Sequence, residues 1–393
     1  MGAVTSIGGT LEDFWKNLLE GVCGIRPFSL FDSASYRTQT AAEVAEIPDG
    51  FLTPAERRRM SRADRMGVAA AREALRAAGI DTRREAPSRL GVILGGGTSG
   101  LIDSEAFFEL YLRGRKARPS KVLNHLPDSI TDRVAERFGL EGIKSTITTA
   151  CSSSANAMGY AFDAIAAGLA DVIVTGGSDV LARLTYGGFN SLRSVDPDPC
   201  RPFDRERKGL SIGEAAGILV FEEEGRARRR GAPVVAEFRG YGVTSDAYHM
   251  TAPDPSGSAG GRTIRAALEN AGVNPADVDY VNAHGTATPQ NDSAETAALK
   301  AALGERAREI PVSSIKSMIG HCLCASGAIE AVATALTVRD GKIPPTIHYS
   351  HPDPACDLDY VPNVARDVDV DVALSNSFAF GGNSSVVVLT RYA

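Results

Sequence analysis

The sequence predicts an α/β protein built from two similar halves, and two observations lead to this prediction. Short apolar runs typical of strands alternate with longer segments of helical spacing, which favours largely parallel sheets covered by helices. The pattern then repeats. Residues 267–272 (ALENAG) resemble residues 74–79 (ALRAAG), and a strand and a glycine-containing loop follow each copy. The spacing between the copies varies, which indicates a diverged duplication rather than a solenoid.

The repeat also predicts a domain division. We expect an N-terminal half at residues 1–232 and a C-terminal half at residues 233–393. The turn and helix at 318–338 repeat an earlier turn and helix, and the strand at 382–388 repeats the strand at 213–220. Because no long linker separates the halves, we expect them to share one core.

Composition excludes several classes of protein. The 393 residues are 43% hydrophobic and 23% charged, with a net charge of −6, so nothing indicates a nucleic-acid partner. There is no signal peptide and no apolar run that could span a bilayer. The six cysteines have neither disulfide-framework nor metal-ligand spacing. We therefore expect a cytoplasmic protein without a membrane span and without a metal.

The first elements follow in order. Apolar spacing predicts an amphipathic helix at 11–19, a basic helix start at 56–60 and a buried strand at 90–94, which the glycines at 95–97 follow. The glycine run fits no phosphate-binding pattern, so we expect close backbone packing there. Composition alone makes the basic run a solvated face, and docking of an acidic partner is the alternative.

Cys151 is the first candidate for chemistry. A β-branched run at 146–149 leads to it, and small polar residues then begin a helix that is poor in charge. A cysteine at a helix N-terminus lies near unpaired N–H groups and the positive end of the dipole, which stabilise the nucleophilic thiolate. A lone intracellular cysteine is more often structural. The assignment therefore depends on partners elsewhere in the chain.

Two histidines are candidate partners. His284 ends a strand and enters a polar turn, and His321 precedes a helix of small residues. Each alone is more often structural than catalytic. Both lie in loops at equivalent points of the repeat, as Cys151 does, and α/β sheets place their sites at the carboxyl ends of parallel strands. One cysteine with two histidines on converging loops is a candidate for nucleophilic catalysis.

Motifs that occur in order make the chain resemble a known family. They are residues 149–152 (TACS), 282–286 (NAHGT), 316–321 (KSMIGH) and 375–383 (SNSFAFGGN), and residues 201–217 (RPFD to GEAAG) fit as well. Over essentially its whole length the chain resembles the elongating β-ketoacyl-acyl-carrier-protein synthases, closest in pattern to synthase II. This resemblance implies the thiolase fold of that superfamily, with two similar α/β halves in layered α-β-α-β-α packing, usually as a homodimer.

The resemblance also implies a mechanism, the decarboxylative Claisen condensation of fatty acid biosynthesis. Cys151 would carry the acyl chain as a thioester. His284 and His321 would donate to the enolate that forms when malonyl-acyl-carrier protein loses CO2. Lys316 would orient the second histidine, His321. No cofactor of the enzyme's own is expected, because phosphopantetheine arrives on the carrier protein.

Further positions carry over by the same resemblance. The main-chain N–H groups of Cys151 and Phe380 would form the oxyanion hole, and Phe380 would also gate the cysteine. Asp292, Glu295 and Glu330 match buried polar positions with structural roles. The substrate and carrier-protein contacts would be Thr286 and Thr288 on the pantetheine arm, Phe189 and Phe378 on the substrate, and Arg58, Arg59 and Arg193 on acyl-carrier protein.

Two departures from the family pattern concern the gating loop. Ala379 stands where the family usually has Gly, and Asn383 where it usually has Thr. We expect them to affect chain-length preference and not the reaction class. A degradative thiolase would need a second reactive cysteine near this loop, and residues 378–383 contain none. An initiating synthase would pair His with Asn, whereas this chain has two histidines.

Two alternatives stay open at this point. One is a ketosynthase of a type II polyketide or polyene pathway, including one that forms a heterodimer with a second ketosynthase. The other is a non-catalytic partner of the chain-length-factor type. Such partners lack the nucleophile, so Cys151 argues against the second alternative.

The start of the chain carries one more expectation. Relatives begin with a β-branched strand that enters a Thr-Gly-x-Gly turn, and residues 1–6 (MGAVTS) match that turn. We therefore expect the first strand to be truncated, with the native start about ten residues upstream, the length of one strand and its lead-in. In a parallel sheet this strand would pair on both sides.

Overall fold

Two five-stranded β-sheets form the framework of the protein. The computed structural model describes residues 1–392. The α-helices in this range are α1 (Leu11–Leu19), α2 (Pro54–Arg59), α3 (Arg62–Ala77), α4 (Leu101–Leu112), α5 (Ser129–Phe138), α6 (Ser153–Ala166), α7 (Arg183–Ser191), α8 (Glu224–Arg229), α9 (Ser258–Ala271), α10 (Pro289–Leu303), α11 (Lys316–Ile319) and α12 (Ser326–Asp340). The strands are β1 (Gly2–Val4), β2 (Arg26–Pro27), β3 (Thr40–Ala41), β4 (Leu90–Gly95), β5 (Lys144–Ile147), β6 (Val172–Asp179), β7 (Ala215–Glu222), β8 (Glu237–Ser245), β9 (Tyr280–Asn282), β10 (Val312–Ser313), β11 (Lys342–Ile343), β12 (Arg366–Asp367), β13 (Val372–Phe378) and β14 (Asn383–Thr390).

The two sheets share one pattern of strand pairing. In the first sheet, read as β5-β4-β6-β7-β1, two parallel pairings are followed by two antiparallel ones. The second sheet, β10-β9-β13-β14-β8, has the same sequence of pairings. The structure therefore confirms two similar α/β halves. Each sheet is mixed, however, and not largely parallel as predicted, because β7 runs antiparallel to β6 and β1, and β14 runs antiparallel to β13 and β8.

Helices separate and cover the sheets. Helices α6 and α12 lie between the two sheets and contact strands of both, α3 and α5 cover the first sheet, and α9 and α10 cover the second. This is the expected α-β-α-β-α order. Residues 326–338 of α12 are all buried, as is typical of a helix in the core that is largely apolar on every side.

The first strand differs from its prediction. Gly2–Val4 form β1 and pair antiparallel with β7, with Gly2 opposite Ile218. The expectation that these residues form only a turn is wrong, and the strand is short rather than missing. The expectation of pairing on both sides is also wrong, because β1 is the edge strand of its sheet. Position 2 requires glycine, because a Cβ there would lie 2.1 Å from the Ala70 carbonyl oxygen on α3.

No helix within residues 1–392 is both long enough and apolar enough to cross a membrane.

Candidate active site

Cys151 lies at a sharp turn between β5 and α6. Ala150 has a positive φ of 52°, a strained conformation for a residue with a side chain. The Ser153 hydroxyl stabilises the turn, because it accepts from the Thr149 N–H at 2.9 Å and donates to the Ala150 carbonyl at 2.6 Å. The turn directs the largely buried thiol of Cys151 into a cavity.

His321 contacts this thiol. Its Nε2 lies 3.0 Å from Cys151 Sγ. On the other side of the ring, Nδ1 accepts from the Leu323 N–H at 3.2 Å and lies 2.8 Å from Ser326 Oγ. Because a main-chain N–H can only donate, Nδ1 carries no hydrogen, and the hydrogen of the neutral ring is on Nε2. The N–H of His321 therefore points at the Cys151 sulphur.

His284 has the same arrangement with a different partner. Its Nδ1 lies 3.3 Å from Lys316 Nζ, and an ammonium can only donate, so Nε2 again carries the hydrogen. Glu295 holds the loop by accepting from the main-chain N–H groups of His284 and Gly285, at 2.8 and 2.7 Å. Lys316 was expected to orient His321, but its hydrogen bond is to His284. The expectation that Lys316 orients His321 by a direct contact is therefore wrong.

Both imidazoles are neutral at physiological pH. Burial lowers the pKa of His284 and of His321 well below the usual value of 6.5, and the charge of Lys316 lowers both further. Lys316 itself forms a buried ion pair with Glu330 on α12. Burial raises the pKa of the Glu330 carboxyl to about 7, against the lowering effect of Lys316. The site thus holds two neutral imidazole N–H donors beside the Lys316 ammonium group, which is paired with Glu330.

The thiol itself is protonated in this site. Burial raises the pKa of Cys151 to about 11, although Lys316 and the main-chain N–H groups of Phe380 and Cys151 lower it. The helix start was expected to yield a thiolate, and burial outweighs that effect. The same two N–H groups approach the sulphur, which is the placement predicted for an oxyanion hole.

One cavity leads to the cysteine. Cys151, His284 and His321 lie in its lining. The residues predicted to contact substrate line it too, namely Phe189, Thr286, Thr288, Phe378 and Phe380. Lys316 lies behind His284 and does not line the cavity, while Arg58, Arg59 and Arg193 lie on the exposed surface.

The predicted pantetheine contacts form a pair. The Thr286 and Thr288 hydroxyl oxygens are 3.0 Å apart. The Thr288 side chain also caps α10 by accepting from the Asn291 N–H at 3.3 Å. This cap fixes the turn that follows His284.

The loop that carries Phe380 connects β13 to β14. The Phe380 ring packs against Phe189, with centroids 5.6 Å apart. Ala379 is extended, at φ −110° and ψ 157°, so its methyl group is tolerated where relatives have glycine. The Ala379 N–H donates to the Asn383 carbonyl at 2.9 Å, and Asn383 Nδ2 donates to the Phe380 carbonyl at 3.4 Å. Of the two departures from the family pattern, only Asn383 adds a side-chain hydrogen bond to this loop, because the Ala379 bond joins main-chain groups that any residue would supply.

Three features of the structure were not predicted from the sequence. Ser326 contacts His321, and His249 lines the cavity mouth, where its Nδ1 accepts from the N–H groups of Thr251 and Ala252 at 3.1 and 3.2 Å. Residues 113–121 carry five cations. That basic run was visible in the sequence. No local pattern identifies the other two, because their contacts depend on packing.

Comparisons with known proteins agree on one family. A family model described as the β-ketoacyl synthase N-terminal domain matches residues 1–227, and the C-terminal domain model matches residues 235–350. The chain is 41% identical over 401 residues to a 3-oxoacyl-[acyl-carrier-protein] synthase 2 of Staphylococcus aureus (strain COL). It is 40% identical over 402 residues to the Synechocystis protein of the same name. Each alignment covers 100% of this chain and 97% of the relative.

Solved structures give the same answer. The ishigamide ketosynthase/chain length factor superposes with a TM-score of 0.94 at 35% identity, covering 100% of this chain and 98% of that one. A β-ketoacyl synthase from Burkholderia phymatum STM815 gives 0.91 at 33% identity, with the same coverage. A type II polyketide ketosynthase bound to its acyl-carrier protein gives 0.92 at 31% identity, again with 100% and 98% covered.

The fold and the site define a class, the thiolase-fold acyltransferases, here with one cysteine and two histidines in the lining of one cavity. Within that class, the chain belongs to the β-ketoacyl synthase family.

Proposed function

We propose that this protein extends acyl chains in fatty acid biosynthesis by decarboxylative Claisen condensation. The acyl group on Cys151 would be joined to malonyl-acyl-carrier protein to give β-ketoacyl-acyl-carrier protein. The observation that carries the proposal is the 3.0 Å approach of His321 Nε2 to Cys151 Sγ in the cavity lining, with His284 beside it. The names of the relatives that are 41% and 40% identical support the elongating, synthase II type.

The first step transfers the acyl group. The Cys151 sulphur attacks the carbonyl of the acyl-carrier thioester, and the N–H groups of Cys151 and Phe380 stabilise the oxyanion of the tetrahedral intermediate. The bond to the pantetheine sulphur then breaks, and that sulphur leaves as the free thiol with the proton of Cys151. Because burial raises the pKa of the Cys151 thiol, stabilisation of the oxyanion by these two main-chain N–H groups is important for the transfer.

The second step breaks the malonyl carboxyl bond. As CO2 leaves, negative charge develops on the malonyl thioester oxygen. The Nε2–H groups of His284 and His321 are both free of other acceptors except the sulphur, so both can donate to that oxygen. The enolate carbon then attacks the acyl thioester on Cys151, and the released Cys151 thiolate takes up a proton from solvent.

The partner that supplies both substrates would be acyl-carrier protein, which is acidic. Helix α2 presents Arg58 and Arg59 to solvent, and Arg193 is exposed after α7. The structure adds a second basic segment, because Arg115 and Lys116 are exposed and pair with no carboxylate among residues 1–392. Exposed cations of this kind steer an acidic partner without much binding energy of their own.

A dimer fits the first sheet. Its edge strand β5 pairs only with β4 and leaves its outer edge open. Open edges are normally covered. Large apolar side chains of the same half are exposed as well, among them Phe108 at 53%, Leu112 at 81% and Leu123 at 72%. We propose that a second copy of this chain covers them, with a ketosynthase-like partner as the alternative, and light scattering of the pure chain separates the two.

A second candidate is a type II polyketide or polyene pathway. Solved structures similar to this chain include ketosynthases described with a chain length factor or a polyketide carrier protein. Cys151 argues against a purely non-catalytic role. The same active site would serve either pathway, so the acyl and carrier-protein preference decides between them.

The test is a reconstituted reaction. The pure protein is incubated with malonyl-acyl-carrier protein and a panel of acyl-carrier proteins, and products are measured by intact mass. We expect acylated Cys151 and β-ketoacyl-acyl-carrier protein, with saturated acyl chains preferred. Cys151→Ala is the control and should acquire no acyl mass. Acyl loading of that variant, or no condensation by the wild type with any acyl chain, would refute the proposal.

A further inference from the structure

Ser326 is the first residue of the buried helix α12, and its side chain faces the catalytic centre. It is 1% exposed, and its Oγ lies 2.8 Å from His321 Nδ1. Residues four apart lie on one face of a helix, and Glu330 and Thr334 continue this face. Glu330 pairs with Lys316, and Thr334 donates to the Glu330 carbonyl at 2.7 Å. Ser326 and Glu330 therefore contact residues of the active site, whereas the Thr334 hydroxyl bonds only to the main chain of its own helix.

The direction of the Ser326 hydrogen bond follows from a neighbour. The Leu323 N–H already donates to His321 Nδ1 at 3.2 Å, so that nitrogen holds a lone pair and no hydrogen. The Ser326 hydroxyl must therefore donate to it as well. Two donors converge on Nδ1, and both hydrogen bonds exist only while the ring is neutral with its hydrogen on Nε2.

We propose that Ser326 is a positioning residue that keeps His321 neutral, with its Nε2–H directed at Cys151 Sγ and at the developing enolate. The inference rests on the proposed function for its kinetic consequences, but the state of the ring can be measured without it. A hydrogen bond to the neutral form disfavours protonation of the ring. The N-terminus of α12 acts in the same direction, because its positive end repels an imidazolium.

The Nδ1–H tautomer of His321 would be inactive for decarboxylation, and the protonated ring would place a second buried cation beside Lys316. With the hydrogen on Nδ1, Nε2 would present a lone pair to the enolate oxygen and could not donate. The titratable groups that face the ring are Cys151 from the start of α6, His284 from the loop after β9 and Lys316 from α11, which is paired with Glu330 from α12. None of these groups contacts Nδ1, so they do not select the tautomer directly.

The experiment compares Ser326→Ala with a matched control. Ser326→Ala removes the hydroxyl and leaves the Leu323 N–H in place. Thr334→Ala removes another buried, hydrogen-bonded hydroxyl from the same helix, about 12 Å further along at 1.5 Å per residue. Three readouts are taken for each protein. They are the 15N and 1H spectra of 15N-histidine-labelled protein against pH, CO2 release from malonyl-acyl-carrier protein against pH, and acyl transfer to Cys151 by intact mass.

We expect the wild type and Thr334→Ala to show His321 as the Nε2–H tautomer throughout the neutral range. In Ser326→Ala, His321 should become protonated at a higher pH than in the wild type, or should exchange between its two tautomers. The acidic limb of the pH profile of CO2 release should move to higher pH by the same amount. At neutral pH its CO2 release should fall about three- to tenfold, the effect of one net hydrogen bond. Acyl transfer to Cys151 should fall less.

Other outcomes overturn the inference. If Ser326→Ala keeps the wild-type His321 spectrum and pH profile, the hydroxyl does not position the ring, whatever the activity. If Thr334→Ala shifts the spectrum equally, the effect is general destabilisation of α12. Failure of the proposed function is a separate result, because a wild type that releases no CO2 still reports its His321 tautomer in the spectra.

Discussion

The imidazole rings of His284 and His321 meet at right angles, with an interplanar angle of 89° and centroids 5.3 Å apart. This geometry lets the two Nε2–H groups converge on one acceptor without stacking the rings. The rings differ in what lies behind them. A buried cation, Lys316, backs His284, whereas a main-chain N–H and the Ser326 hydroxyl back His321.

The two histidines should therefore differ in mutation. His284→Ala and His321→Ala should each lower CO2 release from malonyl-acyl-carrier protein by about 100- to 1,000-fold, the usual cost of one donor to an oxyanion. Acyl transfer to Cys151 should suffer more in His321→Ala, because only His321 contacts the sulphur, at 3.0 Å. Single-turnover acylation followed by mass spectrometry measures the difference. Equal acylation rates in the two variants would contradict this division of roles.

The pH dependence follows from the two histidine pKa values. Both lie well below 6.5, mainly because of burial. The donors therefore stay neutral at pH values where a free imidazole is protonated, and CO2 release should persist below pH 6.5. A pH–rate profile under single-turnover conditions checks this. Loss of activity with an apparent pKa near 6.5 would show that the histidines are solvated in the working enzyme.

The same shifts predict a stability effect. Below pH 6.5 the unfolded chain binds protons at these histidines and the folded chain does not, so falling pH favours unfolding. A variant with His284→Asn and His321→Asn lacks this pH-dependent contribution to the free energy of unfolding. Its free energy of unfolding relative to the wild type should rise as the pH falls below 6.5, measured by urea denaturation. A difference that is independent of pH would contradict the lowered values.

Docking of the carrier protein makes a salt-dependent prediction. Arg58→Glu with Arg59→Glu should raise the KM for acyl-carrier protein several-fold and leave kcat nearly unchanged, because exposed charges act mainly on encounter. Arg83→Glu with Arg84→Glu is the charge-matched control, since these exposed residues pair only with Asp81. Added salt should weaken the wild type more than the α2 variant. An equal response of the wild type and the α2 variant to salt would show that Arg58 and Arg59 are solvated and take no part in docking.

The sequence predicted the identity of the site better than its electrostatics. Cys151, His284 and His321 could be found because they occupy equivalent turns of a repeated strand–turn–helix unit. The protonated thiol could not, because the balance between the helix start and burial depends on how deeply α12 and α6 pack. Likewise, which histidine Lys316 contacts is decided by the turn around α11. The motif KSMIGH places the lysine near His321 in sequence but against His284 in space.

The first strand shows the same limit in the fold. Three residues with no strand-length pattern form β1 because α3 and β7 provide a partner and a cover for them. The alternation of strands and helices did predict the layers, since every sheet face needs a helix against it. It could not predict the mixed strand directions, which depend on antiparallel pairings between distant segments, such as β1 with β7 and β8 with β14.

The last prediction concerns the loop that holds Phe380. The Phe380 N–H can donate to an oxyanion only while the peptide between Ala379 and Phe380 keeps its orientation. Ala379 permits fewer alternative backbone conformations than the usual glycine. Ala379→Gly should therefore slow acyl transfer to Cys151 by about two- to fivefold, the effect of the added backbone freedom.

Asn383→Ala should act in the same direction, because it removes the amide that donates to the Phe380 carbonyl. Acylation time courses with a short and a long acyl chain, followed by intact mass, measure both effects, and a difference between the two chains measures the effect of the loop on chain-length preference. Gly381 is unsuitable as a control, since its φ of 77° requires glycine; Ser256→Ala, in an exposed turn, serves instead. Faster acylation of either loop variant would mean that opening of the loop, and not the donor it supplies, limits the transfer.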